Sequence, residues 1–350
     1  MTITVGLDVG GAHLKVARFE NNALVDVRQF ACPLWKGLEN LGHSLNAAVP
    51  LLSGAQHVAI TMTGELSDLF DSRRKGVVVL ADSLTAAFGH KAQFFLGRRG
   101  FCDAETAKTH PDDTGSMNFL ATAEAVGRHR KSALLIDFGS TTVDLVTVRG
   151  GVPEAFGISD AERQTTGELV YTGLTRTAVM GVVTSAPFQG RWVGLAREYL
   201  ATMADVRRVL GEDLEDIDLQ ATADGRGKSQ EESLARLARM LGRESDFGTL
   251  AAWRVTASYI REAQLRSIVD GASLVMSARP LPTGAPVVAA GIGEREVVEV
   301  ARRLGRNCES FGQILGLDGA LMTAATHHAP AVAVGLLLQQ AAKTATRAEL

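Results

Sequence analysis

The stretch Leu134–Val148, LLIDFGSTTVDLVTV, is the part of this sequence that decides the fold. An apolar run ends in Asp137, a Gly-Ser-Thr-Thr turn follows, and a second apolar run carries Asp144. Two apolar runs separated by a short polar turn predict a β-hairpin. A carboxylate at the end of a buried strand is costly unless it is hydrogen-bonded, paired or near a cation. The hairpin therefore contains either an Asp that stabilises its own turn or an Asp that serves a binding site.

The same pattern occurs at the start of the chain, where DVGGAHLKVARF aligns without gaps with DFGSTTVDLVTV. The matched pairs are Asp8 with Asp137, Gly10 with Gly139, and Lys15 with Asp144. Each copy follows an apolar strand and precedes a third strand-like run, at 23–30 and at 152–158. Strand, turn, strand, turn, strand is an antiparallel meander. A meander that occurs twice predicts a duplicated α/β fold, with domains at 1–130 and 131–350.

Short β runs and helical runs alternate beyond each meander. The predicted strands are 57–61, 76–82 and 286–291, and the predicted helices are 115–130 and 294–305. A more helical stretch, at about 185–245, is predicted to be an insertion in the second domain. It contains SQEESLARLARML, which begins with a capping box from Ser229 to Glu232 and continues with leucines on one helical face.

Composition narrows the functional classes. With 46% hydrophobic and 21% charged residues, the composition is typical of an ordinary globular protein. The formal net charge of −3 gives no excess of basic residues of the kind that favours nucleic-acid binding. Three widely separated cysteines argue against disulfides and zinc sites and favour a cytoplasmic location. The sequence enters its first strand without a targeting segment. The apolar run 329–338 is too short to span a membrane and is predicted to be a buried helix.

The two Asp-x-Gly turns predict a phosphate site. Glycines let the backbone turn tightly and approach a ligand, and turn amides with hydroxyl side chains form an anion-binding concavity. Two facing turns, each with one Asp, would hold a phosphate chain and Mg²⁺, with Asp8 and Asp137 as the metal residues. The predicted cradle residues are Gly10, Gly11, His13, Gly139, Ser140, Thr141 and Thr142. A single such loop is also explained as a hairpin turn, and His13 equally well as a solvent-facing residue. Lys15, inside an apolar strand, must reach an anion or extend to water, and an anion in the cleft is the favoured interpretation.

A third glycine turn completes a resemblance to a known superfamily. Gly291 and Gly293 lie between a predicted strand and a predicted helix, a position that also serves close packing. Together with the two hairpins they resemble the adenosine and phosphate motifs of the actin, sugar kinase and heat-shock ATPase superfamily. The resemblance implies an actin-like ATPase fold of two ribonuclease-H-like domains around a central cleft, with ATP or another nucleotide as an alternative ligand. Within it, DFGSTTVD is similar to the Asp-x-Gly-Gly-Thr-Thr-x-Asp motif of hydantoinase/oxoprolinase relatives, with Ser140 replacing the second glycine.

A narrower resemblance rests on five segments, which are GLDVGGAHLK (6–15), TMTGELSDLF (61–70), TTGELVYTGLTRT (165–177), ATMADVRRVLG (201–211) and APAVAVG (329–335). These segments are similar to a hydantoinase/oxoprolinase-like family associated with tetrahydromethanopterin-linked one-carbon transfer. That resemblance implies condensation of an aminomethylfuran-methyl diphosphate with the phenol oxygen of a γ-glutamyl-tyramine or tyrosine-type acceptor. Pyrophosphate is released, and the product leads to methanofuran or methylofuran. Expected partners are these small molecules and a second copy of the chain in a homodimer, with neither nucleic acid nor membrane.

A phenol needs a base to become a competent nucleophile. Asp68, Glu65 and Glu168 are the candidates, because each lies in or beside a Thr-Gly-Glu-Leu loop. Such a loop is equally typical of a helix start, where the Glu complements the helix dipole. Two other functional classes fit the same scaffold. One is an ATP-dependent kinase or hydantoinase/oxoprolinase-type hydrolase, which the absence of a sugar-kinase base motif and the short chain disfavour. The other is a non-enzymatic nucleotide-sensing protein.

Overall fold

Two six-stranded sheets dominate the computed structural model, which describes residues 1–348. The strands of the first sheet are β1 (Ile3–Val9), β2 (His13–Glu20), β3 (Ala23–Ala31), β4 (His57–Met62), β5 (Ala92–Phe95) and β6 (Phe101–Cys102). Their spatial order is β3-β2-β1-β4-β5-β6. The first three strands are antiparallel, and β4 runs parallel to β1 and to β5. Asn21 and Asn22 turn the chain between β2 and β3 with positive φ angles, which asparagine tolerates better than most residues.

The second half repeats this path. Its strands are β7 (Ser132–Phe138), β8 (Val143–Arg149), β9 (Val152–Glu154), β10 (Leu169–Val170), β11 (Ser185–Phe188), β12 (Arg191–Gly194), β13 (Val287–Ala290) and β14 (Cys308–Ser310). Strands β7, β8 and β9 form an antiparallel meander, and β13 runs parallel to both β7 and β14. Asp8 pairs with Lys15 and Asp137 with Asp144 in the same register. The predicted duplicated ribonuclease-H-like fold is therefore confirmed.

The helices connect and cover the strands. They are α1 (Glu39–Ala47), α2 (Val49–Leu52), α3 (Arg73–Phe88), α4 (Ala104–Thr109), α5 (Pro111–Thr114), α6 (Asn118–His129), α7 (Asp160–Thr166), α8 (Met203–Leu210), α9 (Gln230–Met240), α10 (Leu250–Ala278), α11 (Glu294–Arg303), α12 (Phe311–Ile314), α13 (Gly319–His327) and α14 (Ala329–Ala348). The helices predicted at 115–130 and 294–305 are confirmed as α6 and α11.

The predicted strand at 76–82 is wrong, because these residues lie inside α3. The run is apolar as far as Ala81, so its periodicity does not separate a buried strand from a buried helix. Ser72 caps this helix, since its side chain accepts a hydrogen bond from the backbone N–H of Lys75. The buried residues Val77, Leu80 and Leu84 then follow at helical spacing.

Helix α14 returns from the second half of the sequence to the first sheet. It packs on β1 and β4 and against α6, in a core shared by both sheets. A Cβ added to Gly6 would lie 1.9 Å from the carbonyl oxygen of Ala331, so strand and helix are in backbone contact. Residues 331–334 are fully buried, which confirms the predicted buried helix. The predicted domain division at 130/131 stays a prediction, and the last helix of the second segment packs on the first sheet.

Among residues 1–348, no single helix is long and apolar enough to cross a membrane, although α13 and α14 together, across a 96° bend, meet that test.

The predicted insertion at 185–245 holds the β11–β12 hairpin, α8 and α9. These elements share their own core with the first part of α10, including Trp253. The second part of α10 packs on the second sheet, so this helix joins the insertion to the sheet. The predicted capping box between Ser229 and Glu232 is present at the start of α9.

Candidate active site

A cavity of about 510 Å³ lies between the two halves of the molecule, where both Asp-x-Gly turns end. Residues of both turns line it, together with the loop that follows β4. The predicted site residues on its wall are Gly10, Gly11, His13, Lys15, Asp68, Asp137, Gly139, Ser140, Thr141 and Thr142. The duplication therefore brings most of the predicted residues to one place.

The first hairpin places a cation beside a buried acid. Lys15 Nζ donates a hydrogen bond to Asp8 Oδ2 at 2.8 Å, because β1 and β2 pair these residues across the hairpin. Burial alone would lower the pKa of Lys15, but Asp8 and Asp137 outweigh it and raise that pKa, so the amine stays charged. The other oxygen of Asp8, Oδ1, is buried and has no hydrogen-bond partner within residues 1–348. Asp8 is not among the residues that line the cavity, so its carboxylate lies next to the wall residue Lys15 and not on the wall itself.

The second hairpin places two acids opposite each other. Burial, and then the negative charge of Asp144, raise the pKa of Asp137 to about 7, although Lys15 acts against this. Asp144 accepts a hydrogen bond from Arg163 Nη2 at 2.8 Å. The Arg163 guanidinium also lies 3.5 Å from the centre of the Phe119 ring. Arg163 is thus a buried counter-charge that the sequence patterns did not reveal.

The turn of the second hairpin forms a polar cradle. The backbone N–H of Gly139 donates to the carbonyl oxygen of Thr142, and Arg176 Nη1 donates to Thr141 Oγ1 at 3.1 Å. The Arg176 guanidinium also lies 5.1 Å from the Trp35 ring, on the wall of the cavity. Arg176 falls inside the quoted segment 165–177, yet no spacing rule marks it as a site residue. It adds a cation next to the predicted phosphate cradle.

His13 is buried, with 5% of its surface exposed, so the alternative that it faces solvent is wrong. Burial, followed by the nearby charges of Lys15 and Arg176, lowers its pKa to about 3. Its Nε2 lies 3.4 Å from the side-chain nitrogen of Gln220, a residue that lines the neighbouring smaller cavity. A neutral imidazole at this position offers a hydrogen bond without adding charge.

Glu168 does not line the cavity. Its carboxylate accepts hydrogen bonds from the backbone N–H groups of Phe156 and Gly157 at 2.7 and 2.9 Å, and from the hydroxyl of Thr166 at 2.7 Å. The loop also follows the end of α7, with Gly167 in a left-handed conformation, and is not a helix start. Glu168 therefore stabilises a turn, and these contacts favour a structural role over the predicted catalytic one.

Gly291 and Gly293 are likewise absent from the cavity wall. A Cβ on Gly291 would lie 2.4 Å from the carbonyl oxygen of Phe138 and 2.5 Å from Asp137 Oδ1. A Cβ on Gly293 would lie 2.4 Å from the Phe138 ring. Both glycines allow close packing behind the second hairpin, which was the alternative to a predicted ligand contact.

Asp8 and Asp137 are the residues that would hold a Mg²⁺ ion, as the sequence predicts. In the described part of the chain, no group of three His, Cys, Asp or Glu side chains is arranged to hold a metal. Magnesium commonly takes only one or two protein carboxylates and completes its shell with water and phosphate oxygens. Asp137 lies on the cavity wall, whereas the unpartnered Asp8 Oδ1 belongs to a carboxylate buried next to the wall residue Lys15.

A smaller cavity of about 190 Å³ adjoins the main one, and both share Trp35 and Arg176 as wall residues. Its polar lining includes Lys36, Arg208 and Asp218. Arg208 donates a hydrogen bond to Asp218, and both side chains are largely buried. This second chamber therefore offers charges of both signs beside an aromatic wall.

Comparisons with known proteins agree with this architecture. The sequence pattern of the hydantoinase/oxoprolinase family matches residues 56–311. A relative from Methanocaldococcus jannaschii, named a (γ-L-glutamylaminoethyl-phenoxymethyl-furanyl)methanamine synthase, is 32% identical over 241 residues, which cover 68% of this chain and 71% of the relative. A synthase of the same name from Methanococcus vannielii is 30% identical over 112 residues, which cover 32% of this chain and 50% of that relative.

Among solved structures, nucleotide-free acetone carboxylase superposes with a TM-score of 0.57 at 11% identity. The superposition covers 95% of this chain and 70% of the carboxylase, and it bears on the fold alone. The match at 56–311, together with the two-sheet fold, leads to one assignment: the chain belongs to the hydantoinase/oxoprolinase family.

Proposed function

We propose that this protein is a transferase that joins an aminomethylfuran-methyl group to a phenol oxygen. The donor is the furan-methyl diphosphate, the acceptor is γ-glutamyl-tyramine or a tyrosine-derived analogue, and pyrophosphate is the leaving group. The observation that carries the proposal is the 32% identity to a synthase whose name specifies a phenoxymethyl-furan product. A phenoxymethyl link is the ether that such a transfer would form. The product would serve methanofuran or methylofuran biosynthesis.

The charges of the cavity support a diphosphate leaving group. Lys15 and Arg176 contribute two cations to the wall, and the Ser140–Thr142 turn contributes hydroxyl groups. Preorganised cations and donors stabilise negative charge as it develops on a leaving group. Asp8 and Asp137 would hold Mg²⁺, which supplies further positive charge to the diphosphate. The phosphate cradle of the ATPase fold would thus be used without phosphoryl transfer.

The two chambers support a long acceptor with an apolar middle and a charged end. Trp35 lines both of them, with 38% of its residue surface exposed, and would give the phenol ring an apolar surface. The charged lining of the smaller chamber complements the ammonium and carboxylate of a γ-glutamyl group. Asp68, exposed at the edge of the main cavity, and Glu65, buried behind it, are both candidates for the base. A homodimer and a cytoplasmic location stay predictions.

Incubation of the purified protein with Mg²⁺, the furan-methyl diphosphate and γ-glutamyl-tyramine or its tyrosine analogue tests the proposal. We expect equal amounts of pyrophosphate and ether product, measured by coupled assay and mass spectrometry. Failure to form the ether with every acceptor would contradict the transferase assignment. Production of ADP from ATP, without the furan substrate, would favour the kinase or hydrolase class.

A further inference from the structure

Glu65 is a buried acid with an unused oxygen directly behind the cavity wall. It follows β4, and its residue surface is 1% exposed. Its Oε1 accepts a hydrogen bond from Ser116 Oγ at 2.8 Å. Its Oε2 is buried and has no hydrogen-bond partner in the part of the chain described here. Because an unpaired buried carboxylate oxygen costs free energy, its retention calls for a chemical reason.

Ser116 connects this carboxylate to the cavity. It lies on the cavity wall, and its backbone N–H donates to the carbonyl oxygen of Met62 at the end of β4. Its φ angle is +56°, a left-handed conformation that costs a non-glycine residue about 1 kcal/mol. Ser116 is thus a residue of the cavity wall whose hydroxyl donates to the buried Glu65 carboxylate.

The charges around Glu65 suit a base. Burial raises its pKa to about 7, although the hydrogen bond from Ser116 and the charge of Arg73 partly offset this. Arg73 Nε, on α3, lies 3.5 Å from Oε1, while Asp160, at the start of α7, raises the pKa slightly further. A base is most effective when its pKa is near the working pH.

We propose that Ser116 and Glu65 form a relay that removes the phenol proton, an inference that rests on the proposed transferase function. The phenol O–H gives its proton to Ser116 Oγ while the serine's own hydroxyl proton passes to the Glu65 carboxylate. The phenol oxygen forms a bond to the furan methylene carbon. The bond from that carbon to the diphosphate oxygen breaks, and its electron pair leaves with pyrophosphate. Ser116 is the group that touches the substrate, and Glu65 acts through it.

The other two candidate acids are less suited to this step. Glu168 already accepts three hydrogen bonds away from the cavity. Asp68 lies exposed at the cavity edge, where water solvates its carboxylate. Glu65 alone among the three is both buried and linked to the cavity by a hydroxyl group.

Glu65→Gln and Ser116→Ala should be assayed with two acceptors. One carries the ordinary phenol, and the other a ring-nitrated phenol that is largely ionised at neutral pH and needs no base. With the ordinary phenol we expect either variant to lose about 10²-fold or more in kcat. The wild-type rise in activity as pH increases through about 7 should disappear in Glu65→Gln. With the nitrated phenol both variants should return to within a few-fold of wild type.

Asp71→Asn is the matched control, because Asp71 is an exposed acid six residues further along the same segment, with a side chain 82% exposed. We expect wild-type rates with both acceptors. The relay would be overturned if Glu65→Gln and Ser116→Ala lost equal activity with both acceptors. It would also be overturned if Asp68→Asn lost activity with the ordinary phenol and regained it with the nitrated phenol while Glu65→Gln did not. A wild-type enzyme that forms no ether would instead contradict the proposed function. Circular dichroism verifies that each variant is folded.

Discussion

The two Asp-x-Gly hairpins share one backbone plan and differ in the residue that faces the aspartate. In the first hairpin Asp8 faces Lys15, which donates to it at 2.8 Å. In the second hairpin Asp137 faces another acid, Asp144, and the matching cation is Arg163 on α7. The first hairpin thus balances its charge within two strands. The second depends on a neighbouring helix.

This difference assigns separate tasks to two copies of one structure. Lys15 is partly exposed, with a side chain 25% accessible, so it can reach an anion as well as Asp8. Arg163 is almost fully buried and already engaged with Asp144, so it balances charge without reaching far into the cavity. The pKa of Asp137 is consequently raised to about 7 by burial and by Asp144. Duplication supplied the geometry, and single substitutions made the two halves chemically different.

The largest expected effect comes from removing either aspartate charge. Asp8→Asn and Asp137→Asn each delete a residue proposed to hold Mg²⁺ at the diphosphate. Loss of such electrostatic stabilisation typically lowers kcat by about 10²–10³-fold. Initial rates of pyrophosphate release would measure this, with circular dichroism as the folding control. Near-native turnover in either variant would contradict the metal–diphosphate arrangement.

Asp137→Asn should also change how stability depends on pH. The pKa of Asp137 is 3.8 before folding and about 7 after it, so the folded protein holds this proton more tightly. Ionisation then opposes folding, and the wild type loses stability as pH rises from about 4 to 7. Across this range the free energy of unfolding of the asparagine variant should rise relative to that of the wild type by up to about 4 kcal/mol, at about 1.4 kcal/mol per pH unit. Denaturant titrations of both proteins at pH 4.5 and 8 measure this change. The same difference in free energy of unfolding at both pH values would contradict the raised pKa.

Lys15→Met would test whether the first hairpin supplies the cation that contacts a bound anion. A charged hydrogen bond is worth about 1.5–3 kcal/mol, so pyrophosphate affinity should fall by about 10- to 100-fold. Isothermal titration calorimetry with pyrophosphate and Mg²⁺ measures this without catalysis. Lys75→Met is the control, because Lys75 is an exposed lysine on α3 and does not line the cavity. Unchanged pyrophosphate binding in Lys15→Met would assign the anion to other residues.

Local patterns predicted the site better than they predicted the folding of its surroundings. The gapless match from Asp8 to Asp137 predicted both meanders and the common cavity, because hairpin geometry depends on adjacent residues. The strand predicted at 76–82 was wrong, because an apolar run is buried equally well in a helix. Arg163 and Arg176 were missed, since tertiary contacts alone bring them to Asp144 and Thr141. The return of α14 to β1 depends on contacts across more than 300 residues, which no local pattern encodes.

The two halves also differ in how they pack. The losses of stability in Gly6→Ala and Leu135→Ala would measure this difference. Gly6 aligns with Leu135, but at Gly6 the backbone of α14 occupies the space of a side chain. Gly6→Ala should cost at least about 1–3 kcal/mol by displacing that helix, and Leu135→Ala about 2–5 kcal/mol by leaving a cavity. Gly42→Ala, in α1 with nothing within 4 Å of the added methyl, should be neutral or slightly stabilising. Denaturant midpoints compare the three, and a harmless Gly6→Ala would contradict the close contact.

The smallest expected effect on activity is that of Glu168→Gln, which separates a stabilising acid from a catalytic one. Glu168 and Glu65 follow the same Thr-Gly sequence, yet Glu168 faces three donors in its own turn and Glu65 faces the cavity through Ser116. The amide of glutamine presents N–H groups to donors that need an oxygen. Glu168→Gln should therefore lose about 1–3 kcal/mol of stability and keep full activity with both the ordinary and the nitrated phenol. Thermal unfolding and the two-acceptor assay measure this, and an acceptor-dependent loss of rate would return Glu168 to the candidates for the base.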